Sequence, residues 1–297
     1  MERKKLIIPM IVLVVLITYI LYVIVDGNID KNNSKYAYTD EEIALIMKVF
    51  SEDEIDLTKR DDFLVEVIKF NFFDKSKYKR YLEYYNQNPN LDYEDVLVHV
   101  NINIDQPFYS NIYEYENVEE KLPTILVNKY NKLPENYIPK DLIYPGEVRS
   151  ISKMIKEPLE EMFKAGKKAG FDFFVRSGYR SYETQKNAYE FYKNRDGKEK
   201  ADTYSARPGH SEHQLGLAVD ILTVDYQKLD AEFGETEGAK WLATNAHKYG
   251  FILRYPKGKE HITGFSYEPW HFRYVGEDLA HVLYQNDWIL EEYFGRQ

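Results

Sequence analysis

Two histidines, an aspartate and a glutamate stand at spacings that could hold and use a metal ion. The stretch Ser211-Glu-His-Gln-Leu-Gly-Leu-Ala-Val-Asp220 supplies His213 and Asp220, and Glu268-Pro-Trp-His271 adds a second histidine and a further acid about fifty residues later. A zinc ion that acts on a substrate takes three protein ligands and keeps a fourth position for water. The metal lowers the pKa of that water, and a nearby carboxylate can take its proton. The residue types therefore point to His213, Asp220 and His271 as ligands of one Zn2+ per chain and to Glu268 as general base. The competing reading is a surface histidine with a capping aspartate, and a core-edge histidine beside an exposed acid.

Other residues offer a substrate contacts. Arg180 follows Ser177-Gly-Tyr at a strand-to-helix junction, where a fixed guanidinium can grip a carboxylate or steady an oxyanion. Ser211 and Arg207 offer polar contacts, while Tyr182, Gln185 and Trp270 would build the pocket walls. His99, His210, His247, His261 and His281 read as structural or solvent-exposed, with His210 the strongest rival ligand. A fourth ligand at His210 would close the site and make the zinc structural.

These groups need elements to carry them. Gly216 marks a turn after His213, and Leu217 to Leu222 reads as a strand bearing Asp220. Phe171 to Ser177, Phe251 to Tyr255 and Trp270 to Val275 read as further strands. Pro269 forbids regular pairing between Glu268 and His271, so a bulge or turn is expected to bring both to one side. Helical patterns run from Ile151 to Phe163, from the Gly178-Tyr-Arg-Ser turn through Gln185 and Tyr189, from Thr236 to Tyr249, and from Glu277 to Tyr284. The expected class is α+β, with a small antiparallel sheet flanked by helices around a single zinc site.

Upstream, residues 39–104 read as a small, mainly helical module. Thr39-Asp-Glu-Glu42 opens one helix, a second runs through Phe63 and Val67, and a third spans Lys77 to Asn86. The alternation of Val96, Val98, Val100 and Ile102 suggests a strand over Tyr93 to Ile104. Residues 105–145 hold five prolines and read as an extended strap across the catalytic domain at 146–297, with a short strand at Thr124 to Asn128.

The apolar run at 6–25 is long enough to span a bilayer as a helix. Arg3, Lys4 and Lys5 precede it and Asp26 and Asp30 follow, so the tail 1–5 is expected to stay cytoplasmic and the body to be extracellular. A cleaved signal peptide is the alternative, but the run ends without small residues at a cut site. Residues 26–38 form a polar linker. The tail Glu2, Arg3, Lys4, Lys5 carries +2 of a net −10, leaving −12 on the rest, a field that argues against nucleic acid as a partner. Cysteine is absent, which removes thiolate zinc sites and cysteine nucleophiles.

Ser177-Gly-Tyr-Arg-Ser181, Ser211-x-His213-x-x-Gly216-x-Ala218-x-Asp220 and Glu268-x-x-His271, in that order, resemble the VanY-type zinc D-alanyl-D-alanine carboxypeptidases. The resemblance spans roughly 122–284. It implies a small α+β fold in which His213, Asp220 and His271 hold zinc and Glu268 activates its water. It associates Arg180 with substrate or transition-state binding and Ser211 with the substrate's terminal carboxylate. The implied activity is removal of the C-terminal D-alanine of peptidoglycan stem peptides at the cell membrane. Relatives that cleave L-Lys-D-Ala bonds, the D-Ala-D-Ala dipeptide or cross-linked wall share these motifs, and a non-catalytic wall-binding module is the rival from another class.

Overall fold

The computed structural model describes residues 36–144 and 150–297. The expected tail 1–5, the anchor 6–25, most of the linker and residues 145–149 lie outside them. Among the described residues no helix is long and apolar enough to cross a membrane. The described residues fall into two compact units, divided between Lys75 and Ser76.

The first unit holds α1 (Asp40–Ile46) and α2 (Asp62–Val67). Thr39 and Glu42 cap this helix start reciprocally, with Thr39 N donating to Glu42 Oε2 at 2.8 Å and Glu42 N to Thr39 Oγ1 at 3.2 Å. Asp61 caps α2.

The second unit begins with α3 (Tyr78–Gln87) and α4 (Tyr93–Asn101). The strand expected at 93–104 is therefore a helix. Asp92 accepts from Asp95 N at 2.8 Å to cap it, and Val96, Leu97, Val98, His99 and Val100 are all buried. A helical stretch whose five successive residues 96–100 are all buried shows no polar stripe, so its valines alternate only by accident.

The strap carries β1 (Tyr113–Glu114), which pairs in parallel with β2 (Asn131–Lys132), and β3 (Leu142–Ile143), antiparallel to β4 (Ile151–Ser152). No strand forms at 124–128. Ile125, Leu126 and Val127 are buried, but side chains take up carbonyls along this stretch: Arg273 Nη2 donates to Pro123 O and Ile125 O, and Tyr115 Oη to Leu126 O. The helix expected from Ile151 starts instead at Lys156, because Ile151 joins β4 and a 3-10 turn at Lys153–Ile155 intervenes; α5 then runs Lys156–Lys168.

The main sheet contains β5 (Phe173–Ser177), β6 (Ala218–Thr223), β7 (Phe251–Leu253) and β8 (His271–Tyr274) in the order β5-β6-β8-β7, all antiparallel. Between them lie α6 (Tyr182–Asp196), α7 (Lys198–Ala201), α8 (Glu237–Asn245) and α9 (Glu260–Thr263), and α10 (Glu277–Asn286) and α11 (Leu290–Phe294) follow. Side chains alternate across a strand. Val219, Ile221, Phe251 and Phe272 thus enter the core shared with Leu159 and Met162 of α5 and Leu242 of α8. The other face carries Asp220, His271 and Arg273, with Arg254 just past β7. An apolar layer on one side thus fixes a row of charged and imidazole side chains on the other.

Candidate metal centre

Asp220 and His271 are direct cross-strand partners in the β6–β8 register, which sets them side by side without loop freedom. His213 arrives from a 3-10 turn, Glu212–Leu215, closed by Gly216 at φ 68°. A Cβ at Gly216 would meet Ser152 N at 3.0 Å, so both the left-handed backbone and the close approach favour glycine there. Glu268 reaches the same side through the expected tight turn, in which His271 N donates to Glu268 O at 3.1 Å.

One ligand atom each from His213, Asp220 and His271 can be chosen so that all lie within 4.8 Å of one another. His213 Nε2 is 3.5 Å and His271 Nδ1 3.2 Å from Asp220 Oδ1. Glu268 Oε2 lies 3.7 Å from His271 Nδ1. His213 Nδ1 sits 2.7 Å from Gly178 O, so as an N–H it fixes the tautomer that points a lone pair from Nε2 to the centre. His271 presents Nδ1 to the centre and turns Nε2 to Glu212 Oε2, 3.5 Å away.

The protonation pattern suits a cation. Burial pushes the Asp220 carboxyl up, but the two histidines outweigh it and hold the group below the usual carboxylate range. Burial lowers His271, yet the facing carboxylates of Asp220, Glu212 and Glu268 raise it to about 9. Glu268 is pushed up to about 7, chiefly by burial. Asp220 Oδ1 is buried without a hydrogen-bond partner. Two imidazoles and a carboxylate around an unsatisfied oxygen form a donor set that fits Zn2+.

These groups line a cavity of about 420 Å³ that also takes in Arg180, Gln185, Ser211 and Trp270. Gln185 Oε1 accepts from Arg180 Nη1 at 2.8 Å, and Ser177 Oγ accepts from Nη2 at 3.2 Å, so the guanidinium is held in one orientation. Two residues expected at the substrate are elsewhere. Tyr182 opens α6 and packs near Gly209, outside the cavity wall. Arg207 pairs with Asp202 at 2.7 Å and stacks on Tyr109, its charge committed to bracing the strap. His210 Nδ1 meets Asn128 O at 2.7 Å and stands outside the three-residue group.

Sequence reasoning passed over Glu212. It is buried, with Oε1 accepting from Arg254 Nε at 2.8 Å and Arg273 Nη1 at 2.9 Å. The signal was available: Arg254 and Arg273 each interrupt a run that reads as a buried strand, and buried arginines demand a buried acid. Tyr255, Phe265 and Tyr267 of the cavity wall went unread too, since nothing in their spacing separates a pocket wall from a core.

Comparison with known proteins points to one family throughout. The VanY family of D-alanyl-D-alanine carboxypeptidases matches residues 148–277. YodJ of Bacillus subtilis is 47% identical over 179 residues, covering 57% of this chain and 66% of YodJ. A D-alanyl-D-alanine carboxypeptidase of Enterococcus faecalis is 37% identical over 189 residues, 60% of this chain and 68% of that protein. The chain thus spans about two thirds of the length of these two relatives. Among solved structures, the LdcB LD-carboxypeptidase matches with a TM-score of 0.58 at 44% identity, over 63% of this chain and 91% of LdcB. A variant of the vancomycin-resistance D,D-pentapeptidase VanY, solved with Zn(II), matches with a TM-score of 0.51 at 38% identity, over 57% and 97%.

Proposed function

The chain belongs to the VanY family of D-alanyl-D-alanine carboxypeptidases, and from that premise we propose that it is a zinc-dependent D,D-carboxypeptidase of peptidoglycan stem peptides. The observation that carries the proposal is the convergence of His213, Asp220 and His271 with Glu268 in one cavity, faced by an oriented Arg180. The two histidines and Asp220 would hold the ion. Bound zinc would supply Lewis acidity toward the scissile carbonyl and acidify water. Glu268, its carboxyl raised by burial, takes the proton of the attacking water and returns it to the leaving amine. A C–O bond forms and the amide C–N bond breaks, giving a shortened peptide and free D-alanine. Arg180, fixed by Gln185 and Ser177, steadies the negative charge that develops on the carbonyl oxygen or holds the terminal carboxylate. Ser211 adds a polar contact at that carboxylate.

L,D-carboxypeptidase action is the second reading, favoured by the likeness to LdcB at 44% identity. Zinc-loaded protein incubated with a stem pentapeptide and a stem tetrapeptide, read by mass spectrometry, separates the two. Loss of one D-alanine from the pentapeptide alone supports the D,D assignment, and loss from the tetrapeptide moves it to L,D. No change in either while zinc stays bound would sink both. The apolar run at 6–25, outside the described residues, supports single-pass anchorage with the catalytic domain on the outer face. Recovery of the unprocessed chain in the membrane fraction, with the domain open to added protease in intact cells, tests that placement.

A further inference from the structure

We propose that Glu212 is the positioning residue of the metal centre, a buried carboxylate that fixes the ring of His271 and ties it to the strap. The inference rests on the zinc reading of the site. His271 must offer Nδ1 to the ion, since that nitrogen lies 3.2 Å from Asp220 Oδ1 and faces Glu268. Its proton then belongs on Nε2, which is buried and lacks a hydrogen-bond partner. The one carboxylate oxygen it faces is Glu212 Oε2 at 3.5 Å, which is buried and lacks a partner as well. Each orphan is thus the other's natural complement, and a small rotation of the ring joins them. A ligating histidine that gives its second N–H to a carboxylate is held in tautomer and in orientation.

Glu212 is itself immobilised. Its Oε1 accepts from Arg254 Nε at 2.8 Å and Arg273 Nη1 at 2.9 Å. Arg254 grips Glu291 of α11 with two bonds, 2.8 and 2.7 Å, and Glu291 Oε1 accepts from Asn128 Nδ2 of the strap at 3.3 Å. Arg273 Nη2 donates to Pro123 O and Ile125 O of the same strap. Two arginines and two glutamates balance, so the cluster can stay charged out of water. Through it the strap and the C-terminal helix α11 reach the orientation of one metal ligand.

The test uses the full chain. Glu212→Gln keeps the shape, and the two arginines hold its amide oxygen, which leaves the NH2 group facing His271 Nε2. That nitrogen must then accept, the proton moves to Nδ1, and the nitrogen meant for the metal is blocked. The zinc dissociation constant, measured by competition with a chromophoric chelator, should rise about 10–100-fold in Glu212→Gln. Glu291→Gln damages the far end of the same cluster without touching His271. It should lower the melting temperature of the zinc-free protein while leaving zinc affinity within a few-fold of wild type. If Glu212→Gln does not fold, Glu212→Asp replaces it, because the shorter acid stays between the arginines and withdraws from His271. Equal zinc affinity in wild type and the Glu212 variants would overturn the proposal, and so would equal affinity losses in Glu212→Gln and Glu291→Gln. Failure of the wild type to bind zinc would instead overturn the metal-centre reading, and the proposal with it.

Discussion

Glu268 owes its usefulness to a conflict between burial and charge. Burial pushes its carboxyl up while His271 and Arg180 pull it back, and the balance falls at about 7. A carboxylate so placed can accept a proton at neutral pH and release it again. Glu268→Gln should retain zinc and lower kcat by ~10²–10⁴, which metal analysis and steady-state assays of the same preparation would check. The acidic limb of kcat/KM should lie at or below about 7, since a bound cation favours the carboxylate. Activity is lost as pH falls through it, and the limb should vanish from the residual activity of Glu268→Gln. His213→Ala should lose the metal instead, and retained stoichiometric zinc in dialysed protein would refute that ligand. His213, Asp220, His271 and Glu268 were legible in the sequence because their types and spacing have a chemical meaning. Glu212 was not, because a single acid beside a histidine reads as solvated until the two arginines that neutralise it are brought together by the sheet.

Elements were legible where a cap or a period was unambiguous. The helix start at Thr39, the turn at Gly216 and the strand carrying Asp220 all stand where the sequence puts them. The pattern misleads where five successive residues are buried, as at 96–100 in α4, and where side chains replace a ladder, as at 124–128. His210 fastens the segment 105–145 through Asn128. Burial in the presence of Lys132, Arg207 and Lys129 lowers the His210 pKa from 6.5 to about 4, although the bond to Asn128 O works the other way. The folded state therefore binds its proton less readily than the unfolded chain. Its contribution is full above about 6.5 and is lost as pH falls toward 4, a loss on the order of 3 kcal/mol. Urea unfolding of metal-free wild type and His210→Gln at pH 7 and pH 4.5 would measure it. The wild type should lose more stability between the two pH values, and parallel losses would remove His210 from the account.

At the scale of the molecule, the chain divides after Lys75 and not at the end of the helical stretch, so α3 and α4 belong with the sheet and its candidate metal centre. The reason lies in contacts that join residues far apart in sequence. Asn101 Nδ2 donates to Gly295 O at 2.9 Å, and Arg296 Nε to Glu94 Oε1 at 2.8 Å. Arg80 Nε reaches Asp105 at 2.8 Å, and Val98 packs so closely on Gly295 that a Cβ there would meet it at 2.8 Å. A chain starting at Ser76 keeps all of these, and every residue assigned to the site lies within it. A chain starting at residue 105 loses the partners of Gly295, Arg296 and Asp105 and uncovers apolar surface on α11. Three lost hydrogen-bonding partners and part of an aliphatic contact come to about 3 kcal/mol. For a domain of this size that lowers the melting temperature by about 6–12 °C. The 76–297 chain should keep the activity and melt at that higher temperature, because its core and C-terminal cover are whole. Equal melting temperatures for the two chains would show that α3 and α4 are appended to the larger unit without supporting it. A deficit confined to the shorter chain would show that α3 and α4 support the larger unit, through the contacts of α4 with Gly295 and Arg296.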